Sequence, residues 1–289
     1  MTATAVRPLL AGLIDYAGLF PPAALSMADA VANYATYRAG GDAWALGRFV
    51  VPVSRLEEFE SAAADGASGD PWRLSALAQA SDADGIVAFN VRNAGRAVID
   101  ALETKAEAVD DVAGLAPLAR IGAVYVEIPV RDDPGPLVRA IGAHGLCAKI
   151  RTGGVTPGAF PPPADVARFL AACARHGVAF KATAGLHHPL RGEYPLTYER
   201  HAALGTMFGY LNVFVAALFV RHGMSEADAI ALLEERDPSA IHLDAAGVRW
   251  RNHALDAGVV TGARAQFALS FGSCSFREPI DDLTALPLT

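Results

Sequence analysis

Short apolar runs alternate along this chain with stretches whose apolar residues recur every three to four positions, the period of a helix packed on one face. Runs at 13–19, 48–53, 73–78, 98–105, 124–129, 147–152, 179–184 and 269–276 predict eight strands. Helical patterns at 27–38, 55–63, 136–144 and 165–176 fall between them. Strands that alternate with helices pair in parallel through right-handed crossovers. Eight such units predict an α/β fold of the (βα)8 TIM type, whose ordinary size is about 250 residues. The 289 residues then form one barrel domain spanning 1–289, and the excess falls between the seventh and eighth strands. There the pattern predicts an apolar helix at 207–220, a second helix at 226–236 opened by Ser225, and a hairpin at 241–250 turning through Asp244, Ala245, Ala246 and Gly247. The rival doubly wound sheet would carry a glycine-rich phosphate-binding loop after a strand, and none is present. The stretch 62–70 and the prolines 161–163 read as surface connections.

Within a strand, successive side chains face opposite sides. Around 125–129, Val126 and Ile128 suit the helix-facing side, which turns Tyr125 and Glu127 inward. By the same alternation Lys149 and Arg151 turn inward together, as do Lys181 with Thr183 and Glu103 with Lys105; Asp15 joins them from the first strand. The predicted interior thus holds Asp15, Glu103, Glu127, Lys105, Lys149, Arg151 and Lys181 near the C-terminal strand ends. Barrel interiors are normally filled with branched apolar side chains, and active sites are built at the C-terminal face. Seven buried charges are costly unless paired. Either an inert ion-pair network closes the barrel, or a charged pocket serves chemistry; the second reading is preferred.

Composition narrows the setting. Hydrophobic residues make up 52% of the chain and charged residues 19%, a globular balance. The net charge of −7 disfavours a diffuse nucleic-acid or anionic-membrane binder but leaves room for an anionic substrate in a locally cationic cleft. Cys147, Cys173 and Cys274 show no CxxC spacing, so neither a disulfide framework nor a structural zinc site is expected. The apolar run at 9–14 is too short for a secretory signal, and the stretch 207–220 is too short to span a membrane. A cytoplasmic protein is expected, with a small-molecule substrate, no nucleic-acid or membrane partner, and no cofactor or metal. Homo-oligomerisation stays open.

Of the 24 basic residues only Lys105, Lys149 and Lys181 are lysine. Lysine can lose its proton near neutral pH and can form an imine with a carbonyl, which arginine cannot. Burial and a second cation both favour the neutral amine. The segment from Cys147 through Lys149 to Gly154, the helix 165–176 ending at Gly177, and the strand leading through Lys181 to Gly185 together resemble class I aldolases of the deoxyribose-phosphate aldolase type. The resemblance covers about residues 146–186 and implies a (βα)8 barrel and carbon–carbon lyase chemistry. It places Lys181 as the imine-forming lysine and Lys149 as the lysine one strand earlier. The further lysine that this family carries on the next strand is missing here, which leaves Arg151 or Lys149 to tune the nucleophile.

The expected activity is an aldolase-like lyase acting on a small anionic carbonyl compound, with Lys181 and Lys149 at its centre. Glu127, Glu103, Asp15 and His187 are the candidate proton carriers. Arg151, Lys105, His188, Ser273 and Ser275 are the candidate substrate contacts, the two serines because anion sites in these barrels often follow the seventh and eighth strands. His187 and His188 also suit metal ligation with Glu127 or Asp15, but adjacent histidines usually point apart, which makes one shared ion awkward, and no HExxH spacing is present. Cys274 falls on the face opposite Ser273 and Ser275, and Arg191 and Arg264 are carboxylate-clamp candidates. Two alternatives remain: a metal-dependent or cofactor-free hydrolase or isomerase whose lysines only bind substrate, and a non-catalytic binding barrel.

Overall fold

The computed structural model describes residues 3–63 and 69–286; residues 64–68 of the loop predicted at 62–70 lie outside them. Eight parallel strands close into a barrel. They are β1 (Ile14–Tyr16), β2 (Leu46–Pro52), β3 (Trp72–Leu77), β4 (Ala97–Lys105), β5 (Ala123–Glu127), β6 (Cys147–Arg151), β7 (Phe180–Thr183) and, after an insertion, β13 (Ala268–Ser273). The seam joins β1 to β13 with Asp15 opposite Gly272. The fold is therefore the (βα)8 type expected from the alternation.

Helices pack round the barrel for ordinary sequence reasons. The helix Pro163–His176 starts on a proline, which suits a first turn, and ends at Gly177 with φ of 65°, a left-handed cap. Its buried face includes Val166, Phe169, Leu170 and Cys173, and Phe169 meets Phe180 of β7 edge-on at 5.8 Å. The other end of the barrel is tied by buried Arg264, which donates from Nε to the Leu9 carbonyl at 2.6 Å and from Nη1 to that of Leu269 at 2.8 Å. This arginine closes the base of the barrel and clamps no substrate.

The insertion between β7 and β13 is larger than the pattern suggested. An unpredicted hairpin comes first, β8 (Gly192–Pro195) with β9 (Leu204–Met207). The apolar helix runs Tyr210–Arg221, with Tyr210 to Phe219 all buried. Asn212 sits inside it at no polar loss: its amide donates to the Leu232 and Glu235 carbonyls at 2.8 and 2.9 Å and accepts from the Arg191 amide at 2.9 Å. After a helix at Glu226–Leu233, the expected hairpin is a three-stranded meander, β10 (Ile241–Asp244), β11 (Gly247–Trp250) and β12 (His253–Asp256). Among the described residues no helix is long and apolar enough to cross a membrane.

Candidate active site at the barrel mouth

Strand register builds the site. Lys105 of β4 lies opposite Glu127 of β5, Glu127 opposite Lys149 of β6, and Lys149 opposite Lys181 of β7. Because barrel strands tilt, a row at right angles to them also travels along the barrel axis. Side-chain exposure falls down this row, from 69% at Lys105 through 10% at Glu127 and 6% at Lys149 to 0% at Lys181.

At the bottom, Lys181 Nζ lies 2.5 Å from Asp15 Oδ2 and 2.6 Å from Glu103 Oε1. Ser270 donates to Asp15 Oδ2 at 2.8 Å, the Arg48 amide donates to Asp15 Oδ1 at 2.6 Å, and Ser75 donates to Glu103 Oε1 at 2.7 Å. Burial alone would lower the Lys181 ammonium; the two carboxylates outweigh it and hold its pKa above the ordinary value. Above this layer, Lys149 Nζ bridges Glu103 Oε2 at 2.8 Å and Glu127 Oε2 at 2.9 Å. The contact to Glu127 lacks hydrogen-bond alignment, and the buried Oε2 is left without a hydrogen bond. Arg151 Nε reaches Glu127 Oε1 at 3.1 Å. Desolvation would raise both glutamates, but the surrounding cations hold both below the usual carboxylate range.

A cavity of about 330 Å³ opens over this upper layer. Glu103, Lys149, Arg151 and Thr183 form its polar floor, while Phe20, Pro21, Val50, Leu77, Leu196 and Met207 are among its apolar walls. Lys181 and Asp15 do not reach it. His187 and Cys274 face it from the β13 side, with Cys274 Sγ 3.9 Å and Glu278 Oε2 3.2 Å from His187 Nδ1. Burial would lower His187, but its contacts to Cys274 and Glu278 prevail and push it up to about 9. Both partners approach the same nitrogen, so the group is no relay from carboxylate through imidazole to thiol.

Several expected site residues stand elsewhere. Lys105 ends β4 at the rim in solvent, because the strand runs out of the barrel there, and it is not an interior charge. His188 points away from His187, stacks on Tyr194 at 3.5 Å and pairs with Asp282 at 2.5 Å, so it braces the loop. Ser273 is buried off the cavity, and Ser275 Oγ accepts from the Glu278 amide at 3.1 Å at the start of the last helix. Gly272 and Cys274 take the cavity face instead, since β13 alternates with the opposite parity. Arg191 lies over Phe208 at 4.8 Å, outside the mouth cavity. Sequence reasoning overlooked Ser75 and Ser270, although a serine within an otherwise apolar strand is a visible signal. It also overlooked Glu278 and Tyr198, whose hydroxyl donates to Glu278 at 3.2 Å across 80 residues, a link that only the fold creates.

Among the described residues no group of three or more His, Cys, Asp or Glu side chains is placed to hold a metal ion. No protein-family model matches the chain, and no curated protein sequence matches it. The fold and mouth define a TIM-type barrel, a scaffold commonly used by enzymes, with a half-apolar cavity over an ion-paired floor.

Proposed function

We propose that this barrel is an aldolase-like lyase whose imine-forming lysine is Lys149, not Lys181. The observation that carries this reading is depth. Lys149 is the lysine that reaches the cavity, whereas Lys181 is sealed beneath it between two carboxylates. Imine formation needs a neutral amine, and Glu127 Oε2, 2.9 Å away without an aligned hydrogen bond, is the proton acceptor within reach. The amine adds to the substrate carbonyl, the carbinolamine loses water, and the iminium accepts the electron pair of the breaking carbon–carbon bond as the β-hydroxyl-bearing fragment leaves as an aldehyde. Protonation of the resulting enamine and hydrolysis return the amine. His187, which also lines the cavity, gives a proton as the carbinolamine oxygen leaves as water, and its neutral imidazole then takes the β-hydroxyl proton as the aldehyde departs. Lys181 acts as a positioning residue that holds Glu103 under Lys149.

Reduction with cyanoborohydride in the presence of small aldehydes and 2-oxo acids tests this. A mass adduct mapped to Lys149 and lost in Lys149→Met is expected. An adduct at Lys181, or on no lysine, overturns it. A second reading has its own support, since Lys149 sits between two carboxylates, Glu103 at 2.8 Å and Glu127 at 2.9 Å, as an ion-paired group facing the cavity. In that case the chain is a cofactor-free isomerase in which Lys149 polarises a carbonyl while Glu127 moves a proton, and turnover occurs with no trappable adduct.

A further inference from the structure

We infer that the rim cations Lys105 and Arg151 form a carboxylate subsite beside Lys149, so that the substrate is a 2-oxo acid with an apolar arm. The inference rests on the imine reading for the position of the carbonyl, but the anion subsite stands on its own observations.

The first is charge balance. Asp15, Glu103 and Glu127 supply three negative charges to the array, against four positive ones from Lys181, Lys149, Arg151 and Lys105. The lower members pair among themselves, which leaves the surplus charge at the rim. There Lys105 at 3.8 Å and Arg151 at 3.1 Å compete for the same oxygen, Glu127 Oε1. Both cations are at least half exposed, with side-chain exposures of 69% and 50%, and both line the open groove that adjoins the cavity. Asp82 and Asp111 line this groove too and stay anionic, but neither ion-pairs with Lys105 or Arg151: Asp82 is held by the Gln79 amide at 2.7 Å, and Asp111 by the Glu107 and Ala108 amides at 2.9 and 2.8 Å.

The second is spacing. The carboxylate of Glu127 touches Lys149 with one oxygen and Arg151 with the other, so a group of that size spans the two cations. A carboxylate bonded directly to the reacting carbonyl carbon has the same reach. The third is the division of the mouth. Glu103, Lys149 and Arg151 line both the closed cavity and the open groove, placing the reacting nitrogen at their junction. On one side Phe20, Pro21, Val50, Leu196 and Met207 offer hydrocarbon contact; on the other lie the rim cations. A cavity of about 330 Å³ is at the small end of ligand pockets, which suits an arm of a few carbons.

The test compares three probes: 4-methyl-2-oxopentanoate, 4-methylpentan-2-one with a methyl group in place of the carboxylate, and 4-methylpentanoate without the ketone. The first two are trapped by cyanoborohydride on the wild type, Lys105→Met, Arg151→Met and the double variant. The oxo acid is the more electrophilic ketone, so the readout is how each substitution changes the acid-to-ketone ratio of labelling at Lys149. We expect the acid-to-ketone labelling ratio at Lys149 to fall about tenfold or more in the double variant, whatever common change the loss of the Arg151 contact to Glu127 brings to both probes. Equal loss with both probes, or no loss with either, overturns the subsite. If neither probe labels Lys149, the imine reading fails and 4-methylpentanoate decides the subsite alone. Thermal stabilisation of the wild type that disappears in the double variant supports it, and absence of stabilisation overturns it. Lys105 is largely in solvent and Arg151 half exposed, so melting of the unliganded variants should stay within a few degrees of wild type.

Discussion

Replacing Lys181 by Met separates the structural half of the ion-paired array from the half that faces the cavity. Lys181 is fully buried, and its ammonium is the shared partner of Asp15 at 2.5 Å and Glu103 at 2.6 Å. Methionine nearly matches its volume, so the cavity cost is small and the loss is electrostatic. Glu103 keeps Lys149 and Ser75, but Asp15 keeps only the Ser270 hydroxyl and the Arg48 amide as direct partners, with the Arg48 and Arg264 guanidiniums acting on it without an ion-pair contact. Breaking a buried pair by removing one partner costs about 3–5 kcal/mol. Unfolding entropy near 2.1 cal/mol/K per residue gives about 0.6 kcal/mol/K for 289 residues, so the melting temperature should fall by about 5–8 °C. Urea unfolding at pH 7 with an unchanged slope measures the free energy directly. Asp15→Asn combined with Lys181→Met removes the stranded charge and should recover more than half of the loss. Loss below about 1 kcal/mol in the single variant, or a double variant no more stable than the single one, would refute the account of Lys181 as the neutralising centre of the barrel floor.

Two further outcomes follow from the same geometry. Glu103 and Glu127 have pKa values below their unfolded value of 4.5, so their stabilisation is present above that pH and is lost as pH falls through the folded values. His187 goes the other way, from 6.5 to about 9: its contribution, on the order of 3 kcal/mol at most, is complete below 6.5 and lost as pH rises through about 9. Urea midpoints should therefore decline at both ends, and an alkaline limb that survives in His187→Gln would contradict the assignment. Gly47→Ala would set a Cβ 2.2 Å from Asp15 Oδ1, an oxygen that the Arg48 amide holds in place. A cost of about 1–3 kcal/mol is expected. That cost should shrink in an Asp15→Ala background, as a double-mutant cycle would reveal, and an unchanged cost would place the crowding elsewhere.

Much of the fold was legible because each barrel strand alternates cleanly between one face on the helices and one on the interior. Val126 and Ile128 against Tyr125 and Glu127 fix the facing of β5 without any knowledge of neighbours. The hairpin of β8 and β9 gave no such signal: Gly192-Glu-Tyr-Pro195 and Leu204-Gly-Thr-Met207 are four-residue segments containing glycine or proline, with six of their eight residues exposed or partly so. The pattern carries the first strand three residues too far, to 19, because Leu19 and Phe20 are apolar; after the Ala17 amide reaches the Ser273 carbonyl at 2.7 Å, Leu19 packs into the core and Phe20 lines the cavity. At β13 alternation was right that Cys274 opposes Ser273 and Ser275, and wrong about which of them meets the cavity. A run of small residues, Gly272-Ser-Cys-Ser275, carries no size contrast from which to choose.

The hardest distinction was between Lys149 and Lys181, and its cause lies in barrel geometry. Alternation assigns a side chain to the inside or the outside, and both lysines are inside. It says nothing about height along the axis. Height comes from the stagger between tilted strands, which exists only once the sheet has closed. Adjacent strands are about 4.8 Å apart, and a tilt near 36° turns each lateral step into about 3 Å of axial travel. Three steps carry the row from Lys105 in solvent to Lys181 under a sealed floor. Three lysines with the same parity therefore acquire three environments: a hydrated rim cation, an amine at a cavity floor, and a buried countercharge. Only the middle one combines access to a ligand with carboxylates close enough to move its proton, and that position carries the catalytic proposal.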